Sequence, residues 1–214
     1  MVENNASDAF LRSDFLKVES QTWRRLAIGG AVLIAYFLTA KIGLHFATVN
    51  PSATAIWAPS GISVAACILC GSWIWPAVFA GAFLANATTY GSLATTLAIA
   101  AGNTVEALIG AHLVRRFAGA EKAFDRTDDT FKFVFLAAIS STIFSATIGV
   151  TSLCLDGYAS WSKYVLIWFT WWLGDATGDL IIAPLLILWI NNPRLDYGRQ
   201  KAFEAALLIG TLLV

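Results

Sequence analysis

Long apolar runs dominate the chain, and the longest of them extends from Lys163 to Ile190. It exceeds the ~20 apolar residues that a transmembrane helix needs. Two aspartates, Asp175 and Asp179, lie near its middle, four residues apart and therefore on one helix face. A charged Asp at the bilayer centre costs about 2.5–3.5 kcal/mol on the insertion scale. We therefore expect these carboxyl groups to face protein, water or a ligand.

The apolar pattern predicts six complete spans and part of a seventh, and hence an all-α integral membrane protein built as a polytopic helical bundle. The second span starts at Trp57-Ala58-Pro59-Ser60-Gly61, where proline and glycine predict a broken or re-entrant start. The seventh starts at Ala202 and is too short to cross before Val214, which indicates a domain that is incomplete at its C-terminus. The six predicted spans are 26–47, 56–70, 73–87, 93–114, 131 or 133 to 155, and 163–190.

Composition and charge agree with this topology, since 57% of the residues are hydrophobic and only 13% are charged. Of the 14 lysines and arginines, all except Lys41 and Lys163 fall on the side that carries the N-terminus. The positive-inside rule then predicts a multi-pass membrane protein with a cytoplasmic tail, residues 1–25, before a membrane domain, residues 26–214. This charge distribution favours the lipid bilayer as a partner and gives no reason to expect nucleic acid.

Polar side chains in the fourth and sixth spans form a candidate ligand-binding or signal-sensing site. Asn103 and Glu106 share one face of the fourth span, and Glu106 is predicted to lie level with Asp179, ~4 Å beyond each helix midpoint. Small residues on the same faces favour close helix packing. The fifth span adds hydroxyl groups that can bond across helices or line a wet cavity, at Ser140, Ser141, Thr142, Ser145, Thr147, Thr151 and Ser152.

Several ways of compensating the three acids stay open at this point. Lys41 is the only cation within reach, and its stem can cover the predicted height difference of about 4.5 Å to Asp175. The other carboxyl groups can be protonated, bind a cation, or meet a cationic or hydroxyl-rich ligand. Trp171 and Trp172 lie deeper than an interfacial belt and either wall that cavity or serve plain helix packing. A purely structural interpretation makes the acids protonated or hydrogen-bonded pins between helices.

No catalytic, metal or cofactor site is predicted. Cys67 and Cys70 form a CxxC without an accompanying His or second Cys pair, and His45 and His112 lie at opposite ends of their spans. No Walker loop, HExxH or GxSxG motif is present in the sequence. We therefore expect a region that is not itself an enzyme.

An ordered series of motifs resembles the first type of the bacterial membrane-associated sensor domains, the MASE family. The resemblance implies an N-terminal sensory module of about eight spans that precedes a cytoplasmic histidine kinase, diguanylate cyclase or phosphodiesterase. It thus implies a signal-input domain of the bacterial plasma (inner) membrane, with its output domain in cis beyond residue 214. We expect an unknown small ligand, ion or membrane protein as its signal, and a homodimer. The motifs are Trp57–Gly61, Gly71 through Trp75-Pro76 to Asn86, Ala101–Leu108, Ser145–Thr151, and Trp171–Asp179 through Pro184.

Two other classes of function remain open from the sequence. A small-molecule transporter, or the substrate-capture subunit of one, would be favoured by inverted repeats, which are weak in this chain. A membrane anchor and dimerisation scaffold would use the polar residues for assembly alone.

Overall fold

The computed structural model describes residues 3–47, 49–89 and 91–191, with side chains from residue 20 onwards. Within these residues the chain forms six helices joined by short connections, three of which contain a single 3-10 turn (Ser72–Ile74, Ala120–Lys122 and Trp161–Lys163). The predicted all-α fold is thus confirmed for the part of the chain that the structure describes. The helices are α1 Glu3–His45, α2 Ala58–Cys70, α3 Trp75–Ala87, α4 Leu93–Phe117, α5 Thr127–Leu155 and α6 Tyr164–Asn191.

Four stretches of helix are long and apolar enough to cross a membrane: Ser20–His45 in α1, Leu93–Phe117, Thr127–Leu155, and Trp161–Asn191, which includes α6. Helices α2 and α3 have 13 residues each. At 1.5 Å per residue each is about 20 Å long, shorter than the ~30 Å hydrocarbon core. The prediction of six complete spans is therefore not confirmed. The predicted seventh span begins at Ala202, outside the described residues.

Helix α5 contains an irregular stretch in its middle. It is α-helical over Thr127–Phe133, π-helical over Val134–Ser141 and α-helical again over Thr142–Leu155. The Trp172 indole of α6 donates to the carbonyl of Ile139 within the π-helical stretch, at 3.1 Å. Since π-turns occur frequently at functional sites, this stretch draws attention to the α5–α6 contact.

The short helix α2 lies at the centre of the bundle, packed against α6, α4 and α1. The bundle has one end that carries Arg24, Arg25, Arg115 and Arg116, called the basic end below. Close to that end, large apolar side chains from α2 to α6 meet in a layer that is fully buried. This inner apolar layer consists of Ile68, Ile74, Val78, Val114, Phe133 and Ile187, each 0% exposed.

The connection from α1 to α2 runs from the opposite end into the bundle. It turns at Asn50 and Ala53 and stays non-helical up to Trp57, whose N–H donates to the carbonyl of Gly174 at 3.0 Å. Gly174 lies ten residues into α6, about 15 Å along its axis. The predicted re-entrant start of the second apolar segment is thus confirmed, and Ser52–Trp57 is called the re-entrant segment below.

Two glycines of α6 make this close approach possible. A Cβ added at Gly174 would overlap the carbonyl oxygen of Thr54, and one at Gly178 would overlap that of Trp57. Non-helical backbone at membrane depth is tolerated only where it is buried in protein or lines a wet cavity. Ser52, Ala53 and Thr54 meet that condition because they are buried against the other helices, whereas Ala55 and Ile56 are exposed.

Candidate functional site

A serine of α2 joins two carboxyl groups at the centre of the bundle. Helix α2 starts at Ala58, and the Ser60 hydroxyl in its first turn is 2.9 Å from Oδ1 of Asp179. The same hydroxyl is in hydrogen-bond contact with Oε1 of Glu106. Ser60, Glu106 and Asp179 are all buried. The shared serine brings α4 and α6 together as expected from the predicted equal depth of Glu106 and Asp179.

The two Ser60 contacts depend on a single hydroxyl hydrogen. A hydroxyl group carries one hydrogen, whereas the Glu106 and Asp179 oxygens both lie at hydrogen-bond distance from it. An ionised carboxylate can only accept. Both carboxyl groups therefore share the single Ser60 hydrogen, unless one of them carries a hydrogen of its own.

Asp175 lies one turn away from Asp179 on α6 and is only 1% exposed. Neither of its carboxyl oxygens has a hydrogen-bond partner among the described residues, and Oδ2 of Asp179 lacks one as well. Asp175 interacts electrostatically with Glu106 and Asp179, so the three acids form one group. Ser60, Glu106, Asp175 and Asp179 are called the acid cluster below.

A small cavity borders Asp175 under the re-entrant segment. Its volume is about 10 Å³, close to the space that one water molecule needs. The remaining wall comes from the re-entrant segment and from one indole of α6. The lining residues are Ser52, Ala53, Thr54, Trp57, Trp171 and Asp175. This space is called the Asp175 cavity below.

A chain of hydrogen bonds runs beside the acid cluster through four helices. The Trp171 indole donates to the Ser145 hydroxyl at 3.1 Å, and Ser145 donates to the Asn103 carbonyl oxygen at 2.6 Å. The Asn103 amide then donates to the Tyr36 hydroxyl at 2.9 Å. Tyr36 is fully buried, and Asn103 is 4% exposed. This chain fixes α6, α5, α4 and α1 relative to one another at the depth of the acids.

Lys41 lies away from the acid cluster. Its ammonium donates to the Thr88 carbonyl at 3.0 Å and to the Thr88 hydroxyl at 3.2 Å, at the C-terminal end of α3. Unpaired carbonyls at a helix C-terminus attract a cation, which explains this position. The expected pairing of Lys41 with Asp175 is thus corrected. Lys41 instead borders an open cavity of about 510 Å³ at the end opposite the basic end, with His45 and Asn50.

The two candidate tryptophans have different surroundings. Trp171 is 5% exposed and borders the Asp175 cavity, as expected for a cavity wall. Trp172 donates to Ile139 of α5 and stacks on Trp168 with ring centroids 6.2 Å apart. Of the two interpretations offered by the sequence, Trp171 fits the cavity wall and Trp172 fits helix packing.

Compensation of the acid cluster comes from neutral groups. No lysine or arginine in the described part of the chain forms a salt bridge with Glu106, Asp175 or Asp179. In that same part, no three His, Cys, Asp or Glu side chains are placed to hold a metal ion. The remaining contributions are the Ser60 hydroxyl and the N-terminus of α2, whose aligned N–H groups carry partial positive charge.

Two participants were missed from the sequence. Ser60 lies in the irregular start of the second span and in the first family motif, and Tyr36 lies within the predicted first span, but neither is assigned a site role from the sequence. The available signal was that Tyr36 is a polar side chain at the middle of the predicted first span. Ser145 was among the hydroxyls expected to bond across helices, and it does so.

Comparison with known proteins identifies the family of this chain. The family model of MASE1 matches residues 28–214, which is most of the chain. The chain belongs to the MASE1 family. A MASE1 domain is a membrane sensory input domain and is not itself catalytic. The resemblance noted in the motifs is thereby confirmed. No curated protein and no solved structure matches the chain.

Proposed function

We propose that this MASE1 domain senses its signal at the acid cluster, where a small ligand, an ion or a membrane partner binds. The unpartnered carboxyl group of Asp175, buried next to a cavity, carries this proposal. Ionisable groups inside a membrane domain are costly and usually mark a functional site. Asn103, Glu106, Asp175, Asp179 and Trp171 are the residues expected to form it.

The proposed architecture is a multi-pass domain of the bacterial inner membrane that acts as a homodimer, with its N-terminus in the cytoplasm. Arg24, Arg25, Arg115 and Arg116 at one end of the bundle support this orientation. The short helices α2 and α3 would then form a pair of incomplete crossings between full spans. The re-entrant segment replaces the missing outer part of α2.

Signal transmission would use α6. This helix carries Asp175 and Asp179 and continues to Asn191 at the basic end. A change in charge or contacts at Asp175 would shift α6 against α2 and the re-entrant segment, which meet it at Gly174 and Gly178. An output domain in cis, of the histidine kinase or cyclic-di-GMP type, would lie beyond α6 in the polypeptide and respond to that shift.

The test measures the output of the full-length gene product in membrane vesicles. Asp175→Asn and Glu106→Gln keep side-chain shape and remove an ionisable group, so both are expected to change kinase or cyclic-di-GMP output at least several-fold with normal membrane insertion. Asp156→Asn is the matched control, since Asp156 is an exposed acid just after α5. Unchanged output in both site variants would refute the proposal.

A transporter, or a substrate-capture subunit, is the second candidate function. The re-entrant segment beside buried acids favours it, because secondary transporters place broken helices at their substrate sites. Flux assays on the full-length protein in liposomes separate the two functions. A sensor is expected to change output without net flux, whereas a transporter would move solute and lose that flux in Asp175→Asn.

A further inference from the structure

The donors closest to Asp175 are already engaged with other groups. Ser145 donates its hydroxyl hydrogen to Asn103, and the Trp171 indole donates to Ser145. Neither hydrogen is left for Asp175, whose two oxygens have no partner among the described residues. A buried carboxylate without donors is strongly disfavoured unless a positive charge accompanies it. An added proton or cation would compensate this carboxyl group.

The groups that face Asp175 supply no such charge. Glu106 faces it from α4, Asp179 lies on its own helix, and Tyr36 faces it from α1. Helices α2 and α5 contribute the hydroxyls of Ser60 and Ser145 at this depth. Each of these titratable neighbours is therefore an acid or a phenol. None of them carries a positive charge, and any that is ionised repels an ionised Asp175.

The size and lining of the Asp175 cavity define the ligand class. About 10 Å³ admits a particle no larger than a water molecule and excludes organic ligands. Ser52 and Thr54 contribute neutral oxygens, and Trp57 and Trp171 add aromatic rings, a type of group whose face attracts cations. One carboxylate with neutral oxygens suits a single positive charge. A divalent metal is disfavoured because no three His, Cys, Asp or Glu side chains among the described residues are placed to hold a metal ion.

The position of the cavity indicates where the charge enters. Ser52 and Ala53 of its wall come directly after Asn50 and Pro51, which line the open cavity of about 510 Å³ beside Lys41. The chain from Asn50 to Thr54 is thus a thin partition between solvent at the end opposite the basic end and Asp175.

We propose that Asp175 binds one monovalent cation of water size, either a sodium ion or a proton, beneath the re-entrant segment and from the end opposite the basic end. The inference rests on the proposed function and names the ligand class of that site. Binding neutralises Asp175 against Glu106 and Asp179 and consolidates the contact between α6 and the re-entrant segment.

The sodium arm of the test uses the whole chain in lipid nanodiscs. Thermal unfolding is followed in NaCl and in choline chloride at equal ionic strength. A bound sodium ion is expected to raise Tm by about 5 °C or more at saturation. Asp175→Asn should abolish that rise, and Asp156→Asn should retain it.

The proton arm uses infrared spectroscopy on the same samples. If Asp175 binds a proton, its contribution to the carbonyl band of protonated carboxyl groups is present without any sodium effect, is lost in Asp175→Asn and is retained in Asp156→Asn. If neither a sodium-dependent Tm nor an Asp175-dependent carboxyl band is found, the inference is wrong.

Two further readouts keep the outcome clear. Should Asp175→Asn fail to fold, Thr54→Val removes a cavity oxygen, leaves Asp175 in place, and is expected to weaken sodium binding several-fold or to shift the carboxyl band. An unchanged response in that variant would contradict the proposed cavity. In the output assay, altered signalling without a cation signature refutes this inference alone, and a cation signature with unaltered output refutes the proposed function alone.

Discussion

The acid cluster and the inner apolar layer share helices α2, α4 and α6 and are both buried, yet their side chains are stabilised in very different ways. The inner apolar layer is filled by side chains without polar atoms, from Ile68 to Ile187. The acid cluster, nearer the other end, contains three carboxyl groups around one serine and a small cavity. One region gains stability from burial, whereas the other holds groups that burial disfavours.

This difference separates the sources of stability and function in the bundle. Close-packed apolar contacts near the basic end hold α2 to α6 together irrespective of the charge state of the acids. Helix α6 belongs to both regions, through Ile187 in the layer and Asp175 in the cluster. We expect substitutions in the layer to change stability alone, and substitutions in the cluster to change the response to the ligand.

The largest effect is expected from the inner apolar layer. Phe133 is fully buried and packs edge-on against Phe124 with centroids 4.9 Å apart. Phe133→Ala should lower the free energy of unfolding by about 3–5 kcal/mol. Phe135→Ala is the control, because Phe135 is 59% exposed and should change stability little. Equal effects of the two variants in thermal unfolding would contradict the proposed layer.

An intermediate effect is expected where the two regions are joined. In Gly178→Ala the new methyl group meets the Trp57 carbonyl, so α6 and the re-entrant segment must separate. We expect a loss of about 3 kcal/mol in unfolding free energy together with a changed signalling output. Gly30→Ala serves for comparison, since a Cβ at Gly30 meets no atom within 4 Å. If Gly178→Ala were as stable as Gly30→Ala, the close contact would be wrong.

A smaller effect is expected inside the acid cluster. Ser60→Ala removes the hydroxyl shared by Glu106 and Asp179 and should cost about 1–2 kcal/mol, because two buried acids lose their partner. Ser63→Ala on the same helix removes only a bond to the Pro59 carbonyl and should cost about 0.5 kcal/mol or less. Denaturant titration of both variants compares these values, and a larger loss in Ser63→Ala would speak against the shared hydroxyl.

The sequence allowed the class of fold and the common level of Glu106 and Asp179 to be predicted. Helix length and the four-residue spacing of Asp175 and Asp179 depend on local pattern, and Pro59 with Gly61 signalled the irregular start of α2. The family motifs supplied the sensory class. Composition and periodicity along one helix determine these features, and both can be determined from a single sequence.

The features that depend on distant contacts were not predictable. Thirteen-residue helices such as α2 looked like full spans, because apolar content does not reveal how deep the preceding loop reaches. Lys41 was paired with Asp175 on height alone, whereas the carbonyls at the end of α3 bind it. Ser60 gains its role only when α4 and α6 meet on either side of it.

The π-helical stretch of α5 has a consequence for the rotational register of the helix. A wider turn takes up more residues than an α-turn, so the residues on either side of Val134–Ser141 are out of step with a continuous α-helix. Converting the stretch to α-helix would rotate the C-terminal half of α5 by up to about 100° per residue of slippage. Ser145 would then lose its hydrogen bonds with Asn103 and Trp171. The hydrogen-bond chain through the four helices therefore depends on the rotational register of α5.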